Sequence, residues 1–200
     1  MAIDIIFFAL ILLFSVIVHE VAHGLVAYSL GDPTAKDAGR LTLNPLSHID
    51  PFGSILLPFF MYLVGGPLVG MAKPVPFNPM YFKNIRQGTF FVAIAGVGAN
   101  FLMALIFGLV LATHLLGLGP LLAPLMLQRF LAILGTIVQI NIVLGVFNLF
   151  PIPPLDGSKI LFALLGGRLI KAQIFLERYG FLILMAFIFF IWTLAGRIFR

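Results

Sequence analysis

Long stretches without charged side chains are the strongest constraint in this 200-residue sequence. Lys, Arg, Asp and Glu are absent from residues 51–72, 87–128, 130–155 and 179–196. A bilayer core about 30 Å thick requires roughly 20 apolar residues in a helix, so stretches of this kind are long enough to cross it. Only 10% of the residues are charged, against roughly a quarter in soluble proteins. We therefore predict an integral, multi-pass membrane protein.

The residue types that are missing narrow the chemistry. The chain contains no cysteine, which excludes disulfides, thiolate metal ligands and cysteine nucleophiles. Its formal net charge of +5 would be compatible with nucleic-acid binding, but no run of basic residues occurs. Basic residues that flank membrane spans explain the charge better, so we expect no nucleic-acid partner. Any metal site must be built from histidines and carboxylates.

Glycines and prolines divide the chain into about four full transmembrane helices. The first helix is predicted from about Ile3 to Leu30, because Gly31-Asp32-Pro33 is a stop signal. We expect it to be a retained span rather than a cleaved signal peptide. Further spans are predicted over Thr89–Leu116, Phe130–Phe150 and Tyr179–Gly196.

Partial membrane segments and a short β element complete the predicted fold, which is otherwise all-α. Pro51–Ala72 is interrupted by proline and by Gly65-Gly66-Pro67, which predicts a segment that enters the membrane and returns. Arg40 to Leu43 alternates polar and apolar residues, which predicts a short strand at the membrane surface. A basic, partly amphipathic connector is predicted over Lys159–Arg178. No soluble domain is indicated, so residues 1–200 are expected to form a single domain.

The first span carries the sequence His19-Glu20-Val21-Ala22-His23. Residues four apart share one face of a helix, with Cβ atoms about 5 to 6 Å apart, which suits two imidazoles on one zinc ion. In the H-E-x-x-H pattern, zinc lowers the pKa of a bound water to about 7 and the glutamate takes its proton. The pattern predicts peptide-bond hydrolysis. Ordinary partly buried histidines are a weaker explanation, because ionisable groups at membrane depth need a partner or a function.

A third metal ligand is required, because a catalytic zinc usually takes three protein ligands and keeps a fourth position for water. Asp4 lies too far along the same helix, and His114 lies deep in a separate apolar run. Asp156 stands out, since extended backbone in the proline-rich segment 151–154 could carry it back toward the bilayer. The other candidates lie in predicted loops: Asp32, Asp37, His48, Asp50 and Glu177. His48 is expected to be a surface-loop histidine, with a pocket residue as the alternative.

These motifs together resemble the site-2 protease family of intramembrane zinc metalloproteases. The resemblance rests on HEVAHG at residues 19–24 and NLFPIPPLDGSKIL at residues 148–161, with AGVGAN at residues 95–100 as a weaker element. Their order and spacing match the family's core over nearly the whole chain. The chain resembles a minimal form of the family, without extra soluble domains.

The resemblance implies a role for each motif residue. It implies that His19, His23 and Asp156 bind one zinc ion per chain and that Glu20 is the general base. It also suggests that Asn148 positions the substrate or stabilises the oxyanion, as preorganised amide donors do. The alternative for Asn148 is a helix-terminating residue that satisfies local backbone groups.

The activity implied is that of a zinc-dependent intramembrane endopeptidase acting in regulated intramembrane proteolysis. Its expected partners are the lipid bilayer and a transmembrane protein or peptide, cleaved in or near its membrane segment. The alternative is a membrane zinc-binding or metal-transport protein without hydrolytic activity. A carrier needs ligands in series across the bilayer, whereas the candidate ligands here cluster at one depth.

The shared zinc also constrains the topology. The first span and the Phe130–Phe150 span must end on the same side of the membrane, which we call the motif side. The chain between these ends then crosses an even number of times, so the segment at 51–72 is predicted to be re-entrant. Only Arg129, Arg197 and Arg200 then lie on the opposite side, against nine basic residues on the motif side: Lys36, Arg40, Lys73, Lys83, Arg86, Lys159, Arg168, Lys171 and Arg178. By the positive-inside rule, the active site is expected to face the cytoplasm.

Overall fold

Helices account for most of the structure, a computed structural model that describes residues 2–65, 72–117 and 124–198. In chain order they are α1 (Ala2–Ser29), α2 (Thr34–Asp37), α3 (Leu57–Leu63), α4 (Ile85–Leu115), α5 (Pro124–Asn148), α6 (Asp156–Leu165) and α7 (Ile170–Ile198). Four of them, α1, α4, α5 and α7, are long and apolar enough to cross a membrane. The predicted multi-pass fold with about four spans is confirmed.

The first span ends at the predicted stop signal. Ser29 is the last residue of α1, and Gly31 follows with a φ of 102°, which glycine adopts without the strain imposed by a side chain. The backbone N–H of Asp32 donates to Ala27 O at 3.0 Å and closes the turn. Pro33 then prevents the helix from continuing, so α1 has a defined end.

The packing centres on α4, which contacts α1, α5 and α6. At one contact the aromatic ring of Phe101 lies against Gly145, where an added Cβ would be 3.0 Å from the ring. The last span, α7, lies against the proline-rich loop, since a Cβ on Gly180 would be 2.6 Å from Pro153 O. These contacts bring the ends of α1 and α5 and the starts of α4 and α7 to one side of the molecule, as the shared site requires.

The predicted β element is wrong. No strand occurs within the described ranges, and residues 40–43 form an irregular bend. The Arg40 guanidinium donates to Ser47 O, and Nε2 of His48 donates to Thr42 O at 2.8 Å. These hydrogen bonds within the loop use polar groups that a strand would offer to a neighbouring strand. The alternation of polar and apolar residues does not reveal such local bonds.

The segment after the first loop is helical but short. A π-helical turn over Pro51–Leu56 continues into α3, giving an apolar helix from Pro51 to Leu63. At about 1.5 Å per residue this helix is roughly 20 Å long, less than the core of a bilayer. The described part therefore agrees with a segment that does not cross in full. Residues 66–71 lie outside the described residues.

The last span begins earlier than predicted. A 3-10 turn over Gly166–Leu169 leads from α6 directly into α7, so the predicted connector over Lys159–Arg178 is replaced by two helices. The apolar span covers Ile170–Leu194. Its first turns carry charged side chains, which moved the sequence-based boundary to Tyr179. Such side chains near a helix end reach the interface and do not prevent insertion.

An extended segment over residues 72–78, which we call the strap, crosses the motif side before α4. Its Val75 side chain is only 5% exposed. Three of its backbone N–H groups donate to other parts of the chain: Lys73 to His48 O at 2.8 Å, Val75 to the Glu20 carboxylate at 2.8 Å, and Asn78 to the Asp32 carboxylate at 2.6 Å. These bonds hold the strap next to α1.

Candidate metal centre and active site

His19, His23 and Asp156 converge although they are widely separated in sequence. The Nε2 atoms of the two histidines are 3.0 Å apart, and each lies 3.0 Å from Oδ2 of Asp156. All three residues are between 4% and 7% exposed. Within the described ranges they are the only group of three or more His, Asp or Glu side chains close enough together to share a metal ion. The structure therefore assembles the three metal ligands expected from the sequence.

The hydrogen bond at Nδ1 of each imidazole determines whether Nε2 of the same ring carries a proton or a lone pair. Nδ1 of His19 donates to Oδ1 of Asn100 at 2.6 Å, and Nδ1 of His23 donates to the backbone oxygen of Val92 at 2.6 Å. A neutral imidazole has one N–H, so both Nε2 atoms carry lone pairs. Oδ2 of Asp156 has no hydrogen-bond partner. Two imidazole nitrogens and a carboxylate oxygen that converge in a buried site fit a bound cation.

The geometry and the donor types fit zinc. A tetrahedral zinc with bonds of about 2.0 to 2.1 Å holds its ligand atoms roughly 3.3 Å apart, close to the triangle observed here. Two imidazoles and one carboxylate match a catalytic zinc site with a fourth position left open. Calcium and magnesium prefer oxygen ligands, which this group does not supply in sufficient number.

Gly96 of α4 allows α4 to approach the two histidines. A Cβ at this position would lie 2.6 Å from Cε1 of His23 and 2.7 Å from Cε1 of His19. The structure shows that the missing side chain of Gly96 makes room for both imidazoles.

A buried polar network extends from His19 into the helix core. Nδ2 of Asn100 donates to Oδ1 of Asn141 at 2.9 Å, and Nδ2 of Asn141 donates to Oγ of Ser15 at 2.9 Å and to Ile137 O at 2.9 Å. Both asparagines are fully buried. Sequence reasoning missed Ser15 and Asn141, although polar residues inside an apolar span are a signal that could have found them.

The proline-rich loop places Asp156 at the site. Asp156 is the first residue of α6, and a Cβ on the following Gly157 would overlap the backbone of Leu149 and Phe150. Oδ1 of Asp156, the oxygen not shared with the histidines, lies 3.2 Å from Nζ of Lys159. The predicted return of this segment toward the bilayer therefore occurs, and glycine is required where the loop meets the end of α5.

A cavity of about 100 Å³, here called the central cavity, adjoins the three ligands. Glu20 lines it, and its Oε2 accepts the Val75 N–H of the strap at 2.8 Å. Asn148 also lines it, while its Nδ2 donates to Leu144 O at 3.0 Å. Asn148 therefore lies where it can reach the cavity and also satisfies a local backbone oxygen near the end of α5. The cavity is large enough to hold water beside Glu20.

Other candidate ligands lie elsewhere. His48 is 1% exposed, so the expectation of a surface histidine is wrong, and it does not line the central cavity either. Its carbonyl instead accepts from Lys73 of the strap. Asp32 is fully buried and binds Thr34 and the strap. The imidazole of His114 packs on Phe130, with ring centroids 5.0 Å apart.

Comparison with known proteins gives the same family that the sequence motifs resemble. The profile described as peptidase family M50 matches residues 122–191. "Putative zinc metalloprotease YwhC" of Bacillus subtilis is 42% identical over 87% of this chain and 76% of its own length. Two mycobacterial proteins named Rip2, from Mycolicibacterium smegmatis and Mycobacterium tuberculosis, are each 33% identical, and the matches cover 62% and 52% of their own lengths. No solved structure matches the chain.

Proposed function

Because this chain belongs to peptidase family M50, the site-2 protease family, we propose that it is a zinc endopeptidase that cleaves membrane proteins within or near a transmembrane segment. The observation that carries the proposal is the triangle of buried lone pairs on His19, His23 and Asp156, with Glu20 beside the same cavity. His19 and His23 lie ten and six residues before the end of α1, which corresponds to roughly 9 to 15 Å along the helix axis. A site within an apolar spanning helix suits a peptide bond that starts inside the bilayer.

Each residue around the central cavity has a proposed part in the reaction. Zinc held by the three ligands supplies a Lewis acid, which lowers the pKa of water and polarises a carbonyl group. Glu20, oriented by the Val75 N–H, accepts the proton of the attacking water and passes it to the leaving nitrogen. Asn148 also lines the cavity and offers an amide hydrogen to the developing oxyanion.

We also propose that the site faces the cytoplasm. In the predicted topology nine of the twelve Lys and Arg residues lie on the motif side, and the positive-inside rule places such a side in the cytoplasm. Single cysteines introduced at Lys36 and Lys83 should both react with an impermeant thiol reagent only after the membrane is opened. Labelling of either position in intact cells would contradict this orientation.

Cleavage in a defined system tests the activity. The probe is a single-span protein that has Gly and Pro near the motif-side end of its span, which favours local unwinding. The purified chain should cleave it in detergent, lose cleavage with a chelator and regain it on addition of zinc. A chain that holds zinc and leaves this probe intact would count against the proposal, and zinc transport into vesicles would then test the alternative of a carrier.

A further inference from the structure

A groove of about 670 Å³ lies beside the site on the motif side. It is lined by Thr89 of α4, by Phe162 and Ala163 of α6, and by Gly167 and Gln173 near the start of α7. The volume lies in the range of about 300 to 1,000 Å³ that is typical of ligand-binding sites. No element of the described chain fills this space.

The groove adjoins the central cavity. Pro74, Pro154 and Lys159 line both spaces and therefore form the border between them. The Lys159 side chain is 40% exposed and holds Asp156 at 3.2 Å. A chain lying in the groove would therefore contact residues that also line the cavity of the metal ligands.

We propose that the groove binds the substrate segment that runs from the scissile bond toward the motif side, as an extended and mainly apolar peptide. This inference rests on the proposed function and adds a binding site to it. An α-helix with its side chains is about 10 to 12 Å across, whereas an unwound chain is narrower and can lie in the groove. The lining is largely apolar, and its Arg86 guanidinium already donates to the carbonyls of Ala163 and Leu164.

The lining of the groove favours a mainly apolar segment. Lys159 pairs with Asp156 at 3.2 Å, and Glu177 accepts a hydrogen bond from Gln173 at 2.8 Å. A charged substrate side chain would lose water on entering a largely apolar lining. The strand predicted at residues 40–43, whose edge could have paired with an extended chain, does not form. The groove is thus a feature next to the central cavity that can hold an unwound chain.

Photo-crosslinking tests occupancy without requiring catalysis. The full chain with Glu20→Gln, loaded with zinc, receives a benzophenone amino acid at Gln173 or at Gly167, and the control receives it at Gly98. Gly98 is exposed on α4 and does not line the groove. With the single-span probe, we expect crosslinks from both groove positions to residues on the motif side of its cleavage site, and none from Gly98. Crosslinks only to lipid, or none to the probe from either groove position, would overturn the proposal.

A filling substitution tests whether occupancy matters for cleavage. A Cβ at Gly167 meets no atom within 4 Å, so Gly167→Trp adds a large side chain at the border of the groove without a clash at its Cβ, and Gly98→Trp is a matched control with the same clearance. We expect Gly167→Trp to raise KM for the probe about tenfold while zinc content is unchanged, and the control to stay within about twofold of the native chain. Equal KM values for both variants would overturn the proposal that the groove binds the substrate. The proposed function is decided separately, by whether the native chain cleaves the probe.

Discussion

Oδ1 of Asn100 lies 2.6 Å from Nδ1 of His19, and this bond determines which nitrogen of the histidine faces Asp156. The amide cannot turn over without cost, because its Nδ2 donates to Asn141 on the other side. With Asn100 so oriented, Nδ1 of His19 carries the proton and Nε2 offers its lone pair to a metal. Residues outside the metal ligands therefore hold the ligand in its binding form, as outer partners of metal-bound histidines generally do.

Replacing Asn100 should weaken zinc binding in a way that depends on the substitute. Asn100→Leu removes the acceptor for His19 Nδ1, and we expect the zinc Kd to rise by about 10- to 100-fold. Asn100→Asp keeps an acceptor at the same place and should stay within about fivefold of the native value. Competition with a chelator of known affinity measures both. Equal losses in the two variants would show that the hydrogen bond is not the cause.

Asn141 should act through Asn100 and not directly. Asn141→Leu frees the Asn100 amide from its partner, so we expect the zinc Kd to rise by about 3- to 10-fold. Added to Asn100→Leu, the same change should have less than about a twofold effect, because the amide it orients is gone. Cobalt substituted for zinc gives an independent signal, since its absorption bands report ligand geometry. Additive effects of the two substitutions would indicate separate structural roles.

Two glycines of α4, Gly96 and Gly98, allow a matched test of how closely α4 packs against the two imidazoles. Gly96→Ala places a methyl group against both histidine rings, so we expect zinc content to fall below about half of the native value. Gly98→Ala meets no atom within 4 Å and should leave zinc content unchanged. Both changes favour helix equally, so helix propensity does not separate them. Metal analysis of the purified variants checks this, and full zinc in Gly96→Ala would contradict the close approach of α4 to the histidines.

Asp32 should make stability depend on pH. Burial alone would raise the pKa of this carboxyl, but hydrogen bonds from the Thr34 side chain and from the backbone N–H groups of Asn78 and Thr34 outweigh it and lower the pKa below 3.8. A lowered pKa gives stability that is present above 3.8 and is lost as the pH falls through the folded-state value. The native chain should therefore exceed Asp32→Asn in Tm near pH 6, and the difference should shrink toward pH 3. Thermal unfolding of both proteins with zinc removed excludes metal release as the cause, and a constant difference would refute the assignment.

Local signals in the sequence predicted the parts of the fold that depend on local chemistry. Gly31 and Pro33 fixed the end of α1, and the prolines before Asp156 indicated backbone that returns to the site. The strand at residues 40–43 was predicted from alternation, and it failed because Arg40 and His48 bond within the loop. Alternation cannot distinguish a strand from a bend whose polar groups have local partners.

Several contacts between distant segments were not predicted from the sequence. The pairing of Glu20 with Val75 joins residues 55 positions apart, and the bond between Asn141 and Ser15 joins residues 126 positions apart. Both depend on how helices and the strap pack, which periodicity does not encode. The start of α7 was misplaced for a related reason, since a charge-free window excludes Lys171 and Arg178 from a helix that in fact contains them.

Glu20→Gln gives the most direct test of the central claim, with zinc content and probe cleavage measured on the same preparation. Glutamine has the size of glutamate and keeps an oxygen for the Val75 N–H, but it cannot accept a proton at the reacting water. We predict one zinc per chain in both proteins and a fall in cleavage by about 10²- to 10⁴-fold in the variant. Zinc retained with cleavage unchanged would contradict the account, because the proton would then be accepted by another group.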